Sequence, residues 1–97
     1  MDKITTTIRR EYLKDIAAKR KRVEYREIKE YWEQRFKAVN PPFLLRLING
    51  MSKTAPEVTV VVRKVVRNKR ERRFELHLGK TIEVRNWDVK RERPTAN

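Results

Sequence analysis

The chain contains no cysteine and a single histidine, His77, among its 97 residues. Without cysteine it has neither a disulfide framework nor a thiolate metal site. One histidine also excludes a histidine-rich metal centre. Oxygen-only binding of magnesium remains open, but no loop concentrates acidic residues for it. His77 has no partner arrangement typical of catalysis, so we interpret it as a solvated strand residue. We therefore expect no metal and no cofactor.

Long apolar runs are also missing. No stretch approaches the length that crosses a bilayer, and the opening MDKITTTIRR lacks the apolar segment of a signal peptide. We therefore expect a cytoplasmic protein with no membrane partner. The length predicts a single domain, residues 1–97, with one modest core, and no internal repeat is visible.

Basic residues are abundant: 26 Lys and Arg stand against 13 Asp and Glu, which gives a net charge of +13. Both halves of the chain are basic, so the excess is not a detachable tail on a neutral core. Such an excess favours a polyanionic partner, and nucleic acid before an anionic membrane. The oligomeric state is left open, with a monomer assumed.

The spacing of apolar residues changes along the chain and predicts an α+β fold. In chain order we predict a strand at 3–8, a helix at 9–19, a strand at 22–26, a helix at 27–37, and strands at 43–48, 57–67, 74–78 and 81–85. Gly79 is expected to interrupt the last apolar run. Five or six strands with short connections indicate a small mixed β-barrel, closed or half-closed, with both helices in its N-terminal half.

The aromatic residues are divided between core and surface. Trp32 lies at helical spacing from Ile28 and Phe36, so we assign all three to a buried stripe. In the first helix, a second apolar stripe is expected to comprise Tyr12, Leu13, Ile16 and Ala17. Tyr31 is marginal and can stack on unpaired bases. Trp87 is expected to cap the barrel, and residues 88–97 are expected to form a flexible basic tail.

Three charged residues at the first helix-to-strand junction form a candidate site. Glu24 and Arg26 lie two apart on a predicted strand and share a face, while Lys21 lies just before them. Val23 and Tyr25 are expected on the other face. A concave mouth lined by Lys, Glu and Arg can hold a phosphate and read a base edge. The alternative is a solvated ion pair, which is worth at most about 1 kcal/mol.

A second basic feature is the predicted hairpin tip, where seven basic residues and one acid lie between residues 63 and 73. We expect a mobile cationic prong for phosphates. Solubility or protection of an edge strand would need only two or three lysines. The candidate nucleic-acid-binding residues are Lys19, Arg20, Arg22, Lys29, Tyr31, Arg35, Arg67, Lys69, Arg70, Arg72 and Arg73.

Three stretches resemble the ASCH domain family, which has the PUA-like barrel fold. In IAAKRKRVEYR, the residues Lys19, Lys21, Glu24 and Arg26 match the family signature Gly-x-Lys-x-x-Glu-x-Arg, except that Lys19 replaces the glycine. EIKEYWEQRF is similar to the following segment of many short, often phage-borne, members. LGKTIEVRNW resembles the closing LGK-I-E strand. The resemblance implies a single PUA-like, ASCH-type domain.

The resemblance and the charge imply three classes of function. The first is an RNA- or nucleotide-binding module, with RNA favoured over DNA. The second is a small ASCH-type hydrolase, a ribonuclease or an amidohydrolase of acetylated cytidine, in which Lys21, Glu24 and Arg26 are catalytic. Members that deacetylate acetylated cytidine have a threonine where this chain has Glu24, so their nucleophile is missing and an acid would act as the base. The third is a generic basic protein associated with nucleic acid.

Overall fold

Five strands form one curled, half-barrel sheet, with two helices beside it, in the computed structural model, which describes residues 1–95. The strands of this sheet are β1 (Lys3–Thr7), β2 (Val23–Glu27), β3 (Phe43–Ile48), β4 (Glu57–Asn68) and β5 (Arg73–Arg85). The helices are α1 (Arg10–Ala17) and α2 (Glu30–Lys37). The predicted α+β class, the half-closed barrel and the two early helices are confirmed.

The strand order, β1-β3-β4-β5-β2, leaves β1 and β2 at the two edges of the sheet. β1 runs parallel to β3, so the chain between them must cross over, and it does so through α1, β2 and α2. Curling brings the two edges close together. Arg26 on β2 donates a hydrogen bond from Nη2 to the carbonyl oxygen of Thr7 on β1, at 2.9 Å. An arginine side chain therefore bridges the opening of the half-barrel.

The core lies on the concave side of the sheet. Alternate residues of β3 and β4 supply apolar side chains to the core, as their period of two requires: Phe43, Leu45, Leu47, Val58, Val60 and Val62. α1 adds Leu13, Ile16 and Ala17, and α2 adds Trp32, which stacks on Phe36 with ring centres 5.4 Å apart. The buried position predicted for Trp32 is confirmed. Ile28 and Phe36 are only partly buried and pack against the core from its rim.

β5 differs from the prediction, because Gly79 does not interrupt it. The strand runs without a break through Gly79, and its register with β4 shifts at several points between Thr59 and Lys64. A Cβ at Gly79 would lie 2.9 Å from Cγ of Arg63. The glycine therefore allows the Arg63 side chain to cross the strand at an irregular part of the ladder, which is a common role of glycine within strands.

The exposed faces of α1 and β2 also differ from the prediction. Glu24 is only 3% exposed, and it pairs across the strands with Leu76, so it faces the core side of the sheet. Tyr25 is 40% exposed and Tyr12 is 41% exposed. The burial expected for Tyr12 is therefore wrong, and on β2 the charged residues rather than the aromatic one face the interior.

Residues 88–95 were expected to belong to a flexible tail, but the described part of this segment forms a hairpin. β6 (Trp87–Asp88) pairs with β7 (Arg93–Pro94), and Asp88 accepts hydrogen bonds from the backbone N–H groups of Lys90 and Arg91. These donors lower the pKa of Asp88. The prediction for residues 96 and 97 lies outside the described residues.

The hairpin is fixed to the body at two points. Trp87 is buried in the core cluster, as expected for a cap on the barrel. Its indole Nε1 finds no hydrogen-bond partner within residues 1–95. Glu92 accepts a hydrogen bond from Arg20, which follows α1, and so ties the turn of the hairpin to the helix end.

Within residues 1–95, no helix is long and apolar enough to cross a membrane.

Candidate functional site

Lys21, Glu24 and Arg26 converge on one cleft of about 320 Å³ beside the opening between β1 and β2. Nζ of Lys21 lies 3.5 Å from Oε1 of Glu24, and Nη1 of Arg26 lies 2.7 Å from Oε2. The period of two places Glu24 and Arg26 on the same face of β2. We call this cleft, lined by these three residues together with Tyr12 and Tyr25, the mouth.

The end of α1 positions Lys21. The N–H of Lys19 donates to the carbonyl of Ile16 at 3.0 Å, and the N–H of Arg20 donates to that of Asp15 at 2.8 Å. Lys19 has φ of 64°, in the left-handed region that glycine adopts most readily. This residue reverses the chain direction, so that Lys21 enters the mouth two residues later. A turn that would suit glycine is made here by lysine.

The buried carboxylate of Glu24 holds two cations in fixed positions. Both of its oxygens are engaged, one by each cation, while the side chains of Lys21 and Arg26 keep only 17% and 19% of their exposure. Two positive charges facing one negative charge leave the triad with a net charge of +1. The mouth therefore offers an anion a partly desolvated positive charge, where electrostatic attraction is stronger than in open water.

The two cations differ in the donors that remain for a ligand. Arg26 forms an ion pair with Glu24 and donates to the carbonyls of Tyr25, at 3.3 Å, and of Thr7, so most of its fork is used within the protein. The ammonium of Lys21 has three donors and makes one ion pair among the described residues. Lys21 is therefore the better placed of the two to contact a ligand, and Arg26 mainly joins β2 to β1.

A second lobe of about 330 Å³ adjoins the mouth and shares Tyr25 and Arg26 with it. Its other lining residues come from β1, from the end of β2 and from the start of α2, and include Thr7, Glu27, Lys29 and Trp32. The Arg26 guanidinium carbon lies 5.4 Å from the ring centre of Trp32, within the range of a cation–π contact. Together the two lobes make a groove beside the half-barrel opening.

Four of the predicted nucleic-acid contacts are engaged within the protein. Arg67 makes a two-pronged contact with Glu33, at 3.0 and 3.2 Å, and this hydrogen bonding lowers the pKa of Glu33. The other three have these partners: Arg20 pairs with Asp15 and Glu92, Arg35 donates to the carbonyl of Thr5 and to the hydroxyl of Tyr31, and Arg73 pairs with Glu75. These arginines connect elements of the fold.

Six other candidates are exposed and make no ion pair with any residue in 1–95: Lys19, Arg22, Lys29, Lys69, Arg70 and Arg72. Lys29 lines the second lobe of the groove. The last three form the tip of the β4–β5 hairpin. Two of them, Lys69 and Arg72, line a further open depression together with Ile28 and Arg67. The three cations of the hairpin tip are thus largely exposed to water.

Sequence reasoning missed Tyr12 and Tyr25 as parts of the site. Nζ of Lys21 lies 5.0 Å from the ring centre of Tyr12 and 4.8 Å from that of Tyr25. The feature that singled out Tyr31, an aromatic residue beside basic residues, applies equally to Tyr25, which is followed directly by Arg26. Tyr31 itself is exposed on α2 and packs against Trp32 and Arg35, and it is not a lining residue of either lobe of the groove.

No protein-family model matches the chain, and no curated protein matches its sequence. Within residues 1–95, no group of three or more acidic, histidine or cysteine side chains is arranged to hold a metal ion. The geometry and charge of the groove are therefore the features that bear on function.

Proposed function

We propose that the protein is an RNA- or nucleotide-binding module of the PUA-like, ASCH type, which holds a phosphate or base in the mouth and uses the basic surface for affinity. The observation that carries this proposal is the buried Glu24, which fixes Lys21 and Arg26 in one partly desolvated, positively charged cleft. A solvated ion pair on a wet sheet would not bury its carboxylate.

The family assignment is part of the same proposal, and the conformation of Lys19 supports it. The ASCH signature has glycine at this position, and Lys19 adopts the left-handed conformation that favours glycine. The curled sheet and the two early helices are compatible with a PUA-like barrel.

Binding is favoured over hydrolysis because of the state of Glu24. In the hydrolase alternative this carboxylate takes a proton from the attacking group, and a general base must reach that proton by a hydrogen bond. Here both oxygens already face cations of the protein, and the carboxylate is almost inaccessible. Its geometry suits the holding of Lys21 and Arg26 better than it suits proton transfer.

The test of the proposal measures the binding of labelled single-stranded RNA by fluorescence anisotropy over a series of salt concentrations. Wild-type protein should bind with a log–log salt slope of about −0.7 for each phosphate neutralised. Lys21→Met removes the charge in the mouth and keeps most of the side-chain length, so it should weaken binding. Lys90→Met, which removes an exposed charge from the C-terminal hairpin, is the matched control and should bind nearly as wild type does.

The hairpin tip is tested separately, by a variant that neutralises its three exposed cations: Lys69→Gln, Arg70→Gln and Arg72→Asn. Asparagine is chosen for the last position because Arg72 has φ of 57°, which asparagine tolerates. The variant should remain folded and should show a shallower salt slope. Wild-type binding that does not depend on salt would overturn the proposal. Hydrolysis of RNA or of acetylated cytidine that is lost in Lys21→Met would replace it with the hydrolase alternative.

A further inference from the structure

Two exposed tyrosines flank the ammonium of Lys21 in the mouth. Because Nζ lies 5.0 Å from one ring centre and 4.8 Å from the other, the centres of Tyr12 and Tyr25 are at most about 10 Å apart, the sum of these distances. Each tyrosine retains about two-fifths of its exposure as a whole residue, although both line the cleft. Exposed aromatic rings on either side of a positively charged cleft are a common way to bind unpaired bases.

We propose that Tyr12 and Tyr25 form a stacking site for one unpaired base of single-stranded RNA, with Lys21 as its cation. This inference rests on the proposed function and names the residues that would make it selective for unpaired RNA. Nζ of Lys21 lies over both rings, so this flexible side chain must turn aside for the base to stack on either tyrosine. The ammonium then donates to a carbonyl oxygen of the base or to the adjoining phosphate.

The surroundings of Tyr25 connect this stacking site to the basic hairpin. The guanidinium carbon of Arg73, at the start of β5, lies 4.0 Å from the ring centre of Tyr25. Arg73 directly follows the exposed hairpin tip, which contains Lys69, Arg70 and Arg72. Arg73 covers a face of Tyr25, so a base stacks on this ring only where Arg73 leaves a face open or moves aside, while the phosphates of the same strand lie along the hairpin tip. A double helix has its bases paired and stacked, so it cannot offer one to the tyrosines without opening.

The size of the mouth fits a single base. Its volume of about 320 Å³ lies at the lower end of the range for small-molecule sites, about 300–1,000 Å³. The adjoining lobe, which shares Tyr25 and is lined by both Lys29 and Glu27, can take the next sugar, and Lys29 can pair with its phosphate. Stacking on an aromatic side chain discriminates little among bases, because every base has a π-face. We therefore expect a preference for unpaired bases over a particular sequence.

The experiment compares two RNA probes of equal length, oligouridylate and an abasic strand with the same number of phosphates. It measures both affinities for wild type, for Tyr12→Leu with Tyr25→Leu, and for the same positions changed to Phe. Wild type should bind oligouridylate about 5- to 150-fold more tightly, the ratio expected for one stacked base. The leucine variant should lose this ratio, and the phenylalanine variant should keep it. Tyr31→Leu is the matched control and should also keep it.

The outcomes separate the two proposals. If wild type binds both probes equally and in a salt-dependent manner, the stacking site is refuted while RNA binding stands. If wild type binds neither probe, the proposed function fails. Retention of the ratio in the leucine variant would overturn the inference, and its loss in Tyr31→Leu would then assign the base to α2. Free uridine monophosphate, as a third probe, distinguishes a nucleotide site from one that needs a strand.

Discussion

Replacing Glu24 with glutamine tests whether the buried carboxylate holds the mouth together. The substitution keeps the shape of the side chain and removes its charge. The amide oxygen can still accept from Arg26, but the amide N–H group then faces the ammonium of Lys21, and two donors meet. The position is only 3% exposed, so little water is available to separate them.

The expected loss of stability follows from the burial of the three groups. Removing one partner of a buried ion pair costs about 3–5 kcal/mol, because a charge is left without compensation. Lys21 and Arg26 keep nearly a fifth of their exposure, so water can compensate part of the loss. We therefore expect the free energy of unfolding to fall by about 2–3 kcal/mol, somewhat below that range. In a domain of this length, the melting temperature should fall by about 10–20 °C.

The assay is thermal and urea unfolding of Glu24→Gln, with Glu27→Gln as the matched control. Glu27 lies on the same strand, but it is exposed and makes no ion pair with any described residue, so its free energy of unfolding should change by less than about 0.5 kcal/mol. Adding Lys21→Met to Glu24→Gln should recover part of the loss, because the unpaired ammonium is removed. Equal melting temperatures for the two single variants would refute the structural role of Glu24.

RNA binding by Glu24→Gln gives a second, independent measurement. The variant carries one more net positive charge than wild type, so binding by charge alone should strengthen or stay the same. If Glu24 instead fixes the positions of Lys21 and Arg26, the affinity for single-stranded RNA should fall in spite of the added charge. A rise in affinity, with no change in preference among RNAs, would show that the mouth contributes charge and no geometry.

Two further predictions concern stability. Trp32→Ala should lower the free energy of unfolding by about 3–5 kcal/mol in urea denaturation, as truncation of buried aromatic residues does, whereas the exposed Tyr31→Ala should lower it much less. Glu57 is buried and forms a two-pronged contact with Arg46, at 2.8 and 3.1 Å, which lowers the pKa of Glu57. The stabilising effect of ionised Glu57 should therefore be complete above the ordinary glutamate pKa and lost as the pH falls through the lowered pKa. The difference in free energy of unfolding between wild type and Glu57→Gln should accordingly shrink in acid. A difference that does not depend on pH would contradict this.

The secondary structure was largely predictable because most of it follows from local patterns. The alternation from Phe43 to Ile48 and the valine-rich run of β4 specify strands that are buried on one or both faces. Helical spacing around Leu13 and around Trp32 specifies two amphipathic helices. These patterns can be recognised without knowing which elements pack together, and they were the basis for predicting a half-closed barrel with two early helices.

The faces of β2 could not be predicted, because a period of two fixes which residues share a face but does not say which face is buried. Val23 and Tyr25 are the apolar residues, so they were expected to face away from the charged set. In the structure Glu24 faces the core side, because Lys21 and Arg26 compensate its charge there. That compensation depends on the bend at Lys19, which the sequence alone does not disclose.

The partners of the basic residues were equally hidden, because they are distant in sequence. Arg20 pairs with Glu92, 72 residues away, and Arg67 pairs with Glu33, 34 residues away. Composition gives the excess of positive charge but not its distribution between internal pairs and free surface. Only with the pairs assigned do the hairpin tip and the mouth stand out as the places where positive charge is available to a ligand.

In the proposed binding, the hairpin tip and the mouth have different roles, and Glu24 is the reason. A chain that needed only affinity for phosphates would gain nothing by burying a carboxylate between two of its cations, since each neutralised charge weakens attraction to a polyanion. Burial of a charge also costs free energy unless it is fully paired. The gain must therefore lie in the fixed positions of Lys21 and Arg26 beside Tyr12 and Tyr25. In the proposed binding, the tip of the β4–β5 hairpin supplies attraction that any phosphate backbone satisfies, and the mouth determines what is held.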